Sequence, residues 1–244
     1  MSNPSLLLLR LEGPMQSWGL RARWNVRDTG EEPTKSGVIG MIGCALGYPI
    51  GDPRLVTELE SNLKIGIRVE QRGTPITDFH TISGRLPTAD GGYKGSSDNP
   101  YTDLSYRTYL NDAAFLVVLE APEDILIKIT NALNNPKWPV YLGRKSCPPT
   151  RPLFEKLTTE YSSRYEALKK YSWNDVTGKK RPDSLKCILE EPFDSMDDFD
   201  GESTRSDIVQ ISPVRMYGSR QVRIKHIDIP VSTGGKDVPV KIDT

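Results

Sequence analysis

The chain has 244 residues, 36% hydrophobic and 26% charged, enough for one large domain or one domain with an appendage and too apolar for disorder throughout. Lys+Arg and Asp+Glu both number 32, so the net charge is zero and the overall basic balance of a simple nucleic-acid binder is missing. Cys44, Cys147 and Cys187 form no CxxC pair, and His80 and His226 are the only histidines, which excludes a disulfide framework and a multi-histidine metal centre.

Leu6–Leu11 reads as a buried strand, closed by the turn signal Glu12-Gly13-Pro14. Its apolar run, Leu6–Leu9, is too short for a signal peptide or a membrane span, so a cytoplasmic, reducing location with no membrane contact is expected. A long connection rich in Gln, Trp, Arg and Gly follows. Thr34 is placed to cap a helix over Lys35–Leu46, with Gly47 as its stop. Within it Gly40 and Gly43 read as sites of close packing, since each glycine costs about 1 kcal/mol in a helix interior. Leu55–Asn62 suggests a second short helix, and Leu63–Gln71 alternates as a strand.

From about Gly73 to Tyr109 the periodicity dissolves, and the flanks Asp78–Gly84 and Asp103–Tyr109 suit the legs of a protruding hairpin. Ala113–Glu120 is a strand. A helix from Pro122 to about Leu133 carries Ile125, Ile129 and Leu133 on one face. Val140–Pro149 reads as a strand edge and a Gly-containing loop. The order β–α–β, insertion, β–α–β is the ferredoxin-like arrangement of RNA-recognition domains. The expected class is therefore α+β: residues 1–155 as that domain with an inserted β-hairpin thumb at about 73–109, and residues 156–244 as a C-terminal β-containing extension. In the extension, Leu185–Glu190, Asp207–Ile211 and Arg220–Ile229 are candidate strands. The acidic stretch at about 190–207 reads as a solvated loop.

Zero net charge conceals clustering: cations gather at Arg21–Arg27, Lys137–Arg151 and Arg215–Lys225. Gly30–Ser36 is one residue short of a P-loop and lacks its second glycine, so no nucleotide triphosphate site is expected. Lys35, Ser36 and the free N–H groups of a helix start can hold one phosphate, or form a plain cap. Trp18, held between Ser17 and Gly19, can stack a base or anchor the core; Arg21, Arg23 and Trp24 follow it. Tyr141-Leu142-Gly143-Arg144-Lys145-Ser146-Cys147-Pro148-Pro149 puts two cations on a Pro-stiffened loop suited to a phosphate backbone. His80 is either a hydrogen-bonding residue or a general base for RNA cleavage.

Taken together and in order, GPMQSWG (13–19), PTKSGVIGMIGCALG (33–47), DFHT (78–81) and YLGRKSCPP (141–149) resemble the CasD subunits of type I-E CRISPR Cascade complexes. The resemblance covers residues 5–155 and thins beyond. It implies a domain of the repeat-associated mysterious protein superfamily. Such a chain holds the 5′ handle of CRISPR RNA and caps a backbone filament, beside the other Cascade subunits (backbone filament and large subunit), with target DNA reached through the complex. It further implies RNA contacts from Gln16, Trp18, Gly19, Arg21 and Arg23, from Lys35 and Ser36, from Tyr141, Arg144, Lys145 and Ser146, and from the thumb through His80, Arg85 and Arg107. Neither cofactor nor metal nor catalytic residue is implied. The alternative is a metal-independent endoribonuclease that processes precursor CRISPR RNA through His80.

Overall fold

The computed structural model describes residues 3–20, 25–88, 90–173, 182–193, 199–211 and 215–230. In chain order the elements are β1 (Leu6–Glu12), β2 (Met15–Gln16), β3 (Val26–Arg27), α1 (Lys35–Leu46), a π-helical turn (Leu55–Glu60), β4 (Lys64–Gln71), β5 (Thr74–Gly84), β6 (Leu86–Pro87), β7 (Tyr93–Lys94), β8 (Tyr101–Asn111), β9 (Ala114–Glu120), α2 (Glu123–Asn134), β10 (Phe154–Thr158), α3 (Arg164–Lys170), β11 (Leu185–Glu190), β12 (Gly201–Ile211) and β13 (Arg215–Ile227). It is a mixed α+β fold, consistent with the ferredoxin-like superfamily. None of the described helices is long and apolar enough to cross a membrane.

A seven-stranded sheet in the order β10-β1-β9-β4-β11-β13-β12 organises the chain, with every neighbouring pair antiparallel. Both faces of its centre are covered, which is why β1 and β9 are continuous apolar runs rather than alternations. Leu7, Leu9 and Leu11 of β1 pack with Phe115, Val117 and Leu119 of β9 against α1 and α2. Leu6 and Leu8 pack with Leu116 and Val118 against Tyr165 and Leu168 of α3. Each fully buried leucine contributes roughly 1.5–3 kcal/mol of transfer free energy.

The α3 face also buries charge. Arg10 of β1 lies 3.5 Å from Glu70, Arg68 is 2.6 Å from the same carboxylate, and Arg164 is 3.0 Å from Glu120. Burial pushes the Glu70 carboxyl up, against the opposing charges of Arg68 and Arg10. Arg68 also donates to the Tyr171 carbonyl at 2.8 Å, which closes the end of α3.

Helix α1 begins and ends where its caps dictate. Thr34 accepts from the Gly37 N–H at 3.2 Å, and Gly47 adopts φ +77° beyond the last turn. Gly43 packs tightly, since a Cβ there would lie 2.4 Å from Leu55 Cδ2. Gly40 is exposed with nothing within 4 Å, so the close-packing expectation fails at that position. The legs of the insertion pair as β5 and β8, from Thr74↔Asn111 to Gly84↔Tyr101 without a register shift.

Two expectations need correction. Residues 140–149 contain no strand; the strand paired to the outer edge of β1 is β10, reached after Pro148, Pro149 and Pro152. The C-terminal strands extend the same sheet, since β11 pairs with β4 (Ile188↔Ile67). The acidic stretch is a solvated loop only in part: Glu191 and Asp200 are exposed between β11 and β12, but its two ends are strands. Gly201–Ile211 is a strand, and Glu190 and Asp207 are buried against cations; residues 194–198 lie outside the described residues.

Candidate nucleic-acid interface

The loop after β1 folds back on itself before it reaches the helix. Trp18 N–H donates to Thr29 Oγ1 at 2.8 Å, and Gly30 N–H donates to the Trp18 carbonyl at 2.7 Å. The same loop is tied to the Gly-containing loop, where Ser17 N–H donates to the Leu142 carbonyl at 3.0 Å. That second loop closes through Leu142 N–H on the Cys147 carbonyl and Cys147 N–H on the Arg144 carbonyl, both at 2.8 Å. Gly143 is at φ +87°, and a Cβ there would sit 1.7 Å from the Ser17 carbonyl oxygen. Only glycine fits both the left-handed backbone and the close approach.

Arg144 locks this junction to the base of the hairpin. Its guanidinium donates to the carbonyls of Thr108 (3.1 Å), Arg27 (2.9 Å) and Asp28 (3.2 Å), and lies 4.7 Å from the centre of the Tyr109 ring. The parallel pairing of β3 with β8 sets Arg27 beside Arg107. The result is a pocket of about 360 Å³ whose lining includes four cations, Arg27, Arg107, Arg144 and Lys145, with Tyr141, Gly143 and Ser146 and, among the described residues, no carboxylate. Four positive charges around one concavity, beside a hydroxyl and a phenol, suit an anionic, partly aromatic ligand such as a nucleotide with its phosphates.

A second pocket, about 350 Å³, lies by the start of α1. Its charges are satisfied within the protein: Glu32 pairs with Lys186 at 3.4 Å and also with Arg205. The unbalanced positive charge therefore belongs to the first pocket.

Of the expected contact residues, Arg107, Tyr141, Arg144, Lys145 and Ser146 come together in that pocket. Arg85 sits apart near the far end of the hairpin, its guanidinium 4.0 Å over the Tyr93 ring. Gly19 is exposed. His80 lies on β5, its Nε2 2.8 Å from Asp78 Oδ2. Arg21 and Arg23 lie outside the described residues.

Four expected residues are corrected by burial. Trp18 is 1% exposed and packs on Gly37, where an added Cβ would meet the indole at 2.8 Å; its Nε1–H donates to Gln16 Oε1 at 3.0 Å. Gln16 is fully buried and donates to the carbonyls of Leu11 and Ala113. Trp18 is a core anchor and not a base-stacking platform. Lys35 is 2% exposed, its ammonium 2.7 Å from Glu60 and 2.8 Å from Glu190. Its backbone N–H, the expected phosphate donor, is bonded to Asp207 Oδ2 at 2.7 Å. Ser36 is buried beside Thr34, with 3.5 Å between the hydroxyls. Carboxylates brought in by the π turn, β11 and β12 already occupy the place a phosphate would take.

Arg27 is the pocket residue that no single motif marks. It belongs to the basic cluster Arg21–Arg27, but its neighbour Arg107 is far away along the chain. Only the β3–β8 pairing joins them. Cys147 is buried and burial raises its thiol pKa, which keeps it protonated and inert. Among the described residues no group of three or more His, Cys, Asp or Glu is arranged to hold a metal ion.

Comparison with known proteins fits this class of fold and site. Residues 6–223 match the family described as "CRISPR-associated protein (Cas_Cas5)". Over 161 residues the chain is 34% identical to the "CRISPR system Cascade subunit CasD" of Escherichia coli (strain K12), covering 62% of this chain and 70% of that protein. Among solved structures, a chain of a "CRISPR RNA-guided surveillance complex" superposes with a TM-score of 0.72 at 31% identity, covering 93% of this chain and 91% of that one. A "Crystal structure of Cas protein" gives 0.63 at 31% identity, with 92% and 97% covered. The chain belongs to the Cas5 family of CRISPR-associated proteins.

Proposed function

We propose that this chain is a non-catalytic RNA-binding subunit of a Cascade-type surveillance complex, and that it holds the 5′ handle of CRISPR RNA and caps the backbone filament in antiviral defence. The fold is read as ferredoxin-like and RNA-recognition-type. The order β10-β1-β9-β4, with α1 and α2 as crossover helices, supports that reading, and the β5–β8 hairpin is its thumb. The supporting observation is the cationic pocket where the Gly143 loop meets the thumb base. The mechanism is electrostatic and steric. Arg27, Arg107 and Lys145 neutralise handle phosphates, Tyr141 offers a ring to a splayed base, and Arg144 fixes the wall. Other Cascade subunits complete the groove, and target DNA is met through the complex in the cytoplasm.

Titration of handle RNA into the purified chain over a salt series tests this. Lys145→Ala is expected to weaken binding and to flatten the slope of log K against log[salt] by about 0.7, the share of one phosphate contact on a single strand. An unchanged slope removes Lys145 from the interface. Loss of slope in neither Lys145→Ala nor Arg27→Ala removes the pocket.

A further inference from the structure

The thumb carries an unpaired strand edge. Tyr106 N–H donates to the Asn25 carbonyl at 2.8 Å, on the β3 side of β8, and Arg144 reaches the Thr108 carbonyl from that same side. Residues 106 and 108 therefore turn their backbone groups away from β5. Their register partners are Phe79 and Thr77. Opposed residues of an antiparallel pair either exchange both hydrogen bonds or neither. Phe79 and Thr77 must then turn their N–H and C=O groups outward, and by alternation Thr81 and Ser83 do the same. Among the described residues β8 is the only strand paired with β5, so these outward backbone groups face no neighbouring strand. Sheet edges are ordinarily blunted by charge, bulge or proline. Here the outward row Thr77, Phe79, Thr81 and Ser83 is uncharged and the register has no bulge. Pro75 interrupts only the root.

We infer that the outer edge of β5 is a docking site for an extended, uncharged protein segment of a neighbouring subunit, which adds to the thumb as one more strand. The occupant follows from the chemistry of the edge. Donors and acceptors alternate along it with the repeat of a peptide backbone, about 6.8 Å per two residues, whereas RNA phosphates would meet its carbonyl oxygens. The side chains agree. Phe79 is 53% exposed and lies 5.5 Å from the Tyr106 ring; with Leu104 and Val26, also exposed, they form one apolar face. Arg27 and Arg107 point to the opposite face. The incoming strand thus places apolar side chains on the Phe79 side and leaves the cationic side to RNA. The inference rests on the proposed membership of a multisubunit complex.

Amide hydrogen exchange at single-residue resolution tests it, on the purified chain and on the complex assembled with its RNA. Asp78, His80 and Ile82 amides, bonded to β8, are expected to be slow in both. Thr77, Phe79, Thr81 and Ser83 are expected to exchange fast in the free chain and at least about tenfold slower in the complex. Thr81→Pro removes one outward donor and leaves the inner ladder intact; it is expected to lower incorporation into the complex about tenfold, with handle RNA binding by the isolated chain unchanged. Fast exchange at all four amides in the complex would falsify the inference. So would concentration-dependent protection in the free chain, which would assign the edge to a second copy. Protection in the complex together with an unaltered Lys145→Ala salt slope would keep the added strand and remove the RNA reading.

Discussion

Replacing Arg144 with lysine separates a clamp from a point charge. The substitution conserves charge, so a purely electrostatic pocket would hardly notice it. The structure expects otherwise, because one guanidinium spans three carbonyls, those of Thr108, Arg27 and Asp28, at 2.9–3.2 Å, and covers the Tyr109 ring. A lysine ammonium is a single centre and reaches at most one of these positions. Two hydrogen bonds from a charged donor are lost, nominally about 1.5–3 kcal/mol each, and discounting for the half-exposed site leaves about 2 kcal/mol. For a chain of this length that is a fall in melting temperature of roughly 4–8 °C. Handle RNA affinity should drop, since the loop that carries Lys145 and Ser146 is no longer tied to the thumb. The salt slope should stay as in the parent, because the number of cations is unchanged. Thermal denaturation and RNA titration at two salt concentrations supply both readouts. An Arg144→Lys variant that melts within about 1 °C of the parent and binds RNA equally well would refute the clamp.

Lys35→Met should destabilise by about 3–5 kcal/mol in a denaturant titration, because buried Glu60 loses its cation and Glu190 keeps only Arg220 at 4.0 Å, while the salt slope for RNA stays unchanged. Burial alone would raise the Asp207 carboxyl, but the hydrogen bonds and charge of Arg220, helped by Lys35, hold its pKa below the ordinary value. The stability this supplies is complete above the unfolded-state value of about 3.9 and is lost as pH falls through the lower folded value. Asp207→Asn should lower stability at pH 7 and flatten the loss seen in acid titrations of stability below about pH 4. Gly40→Ala, with open space around the added methyl, should raise stability by up to about 1 kcal/mol in the same assay.

Local chemistry settled much of this chain. Thr34 and Gly47 bound α1 from Lys35 to Leu46 because caps act over three or four residues, and the sequence shows all of them. The apolar runs of β1 and β9, the paired legs of the thumb and the Gly143 turn were legible for the same reason, as was the resemblance carried by four collinear motifs. What a side chain faces depends on residues far away. Lys35 looks like a phosphate ligand until Glu60, Glu190 and Asp207 arrive from the π turn, β11 and β12, and Trp18 looks like a stacking platform until α1 closes over it. Arg27 gains its meaning only from Arg107 across β3 and β8, and the open edge of β5 shows only in the sheet topology, where β8 is its one paired strand among the described residues. Propensity and capping are short-range and written along the chain. Burial, charge pairing and strand adjacency belong to pairs of residues distant in sequence, so the tertiary structure alone decided which cations remain for RNA.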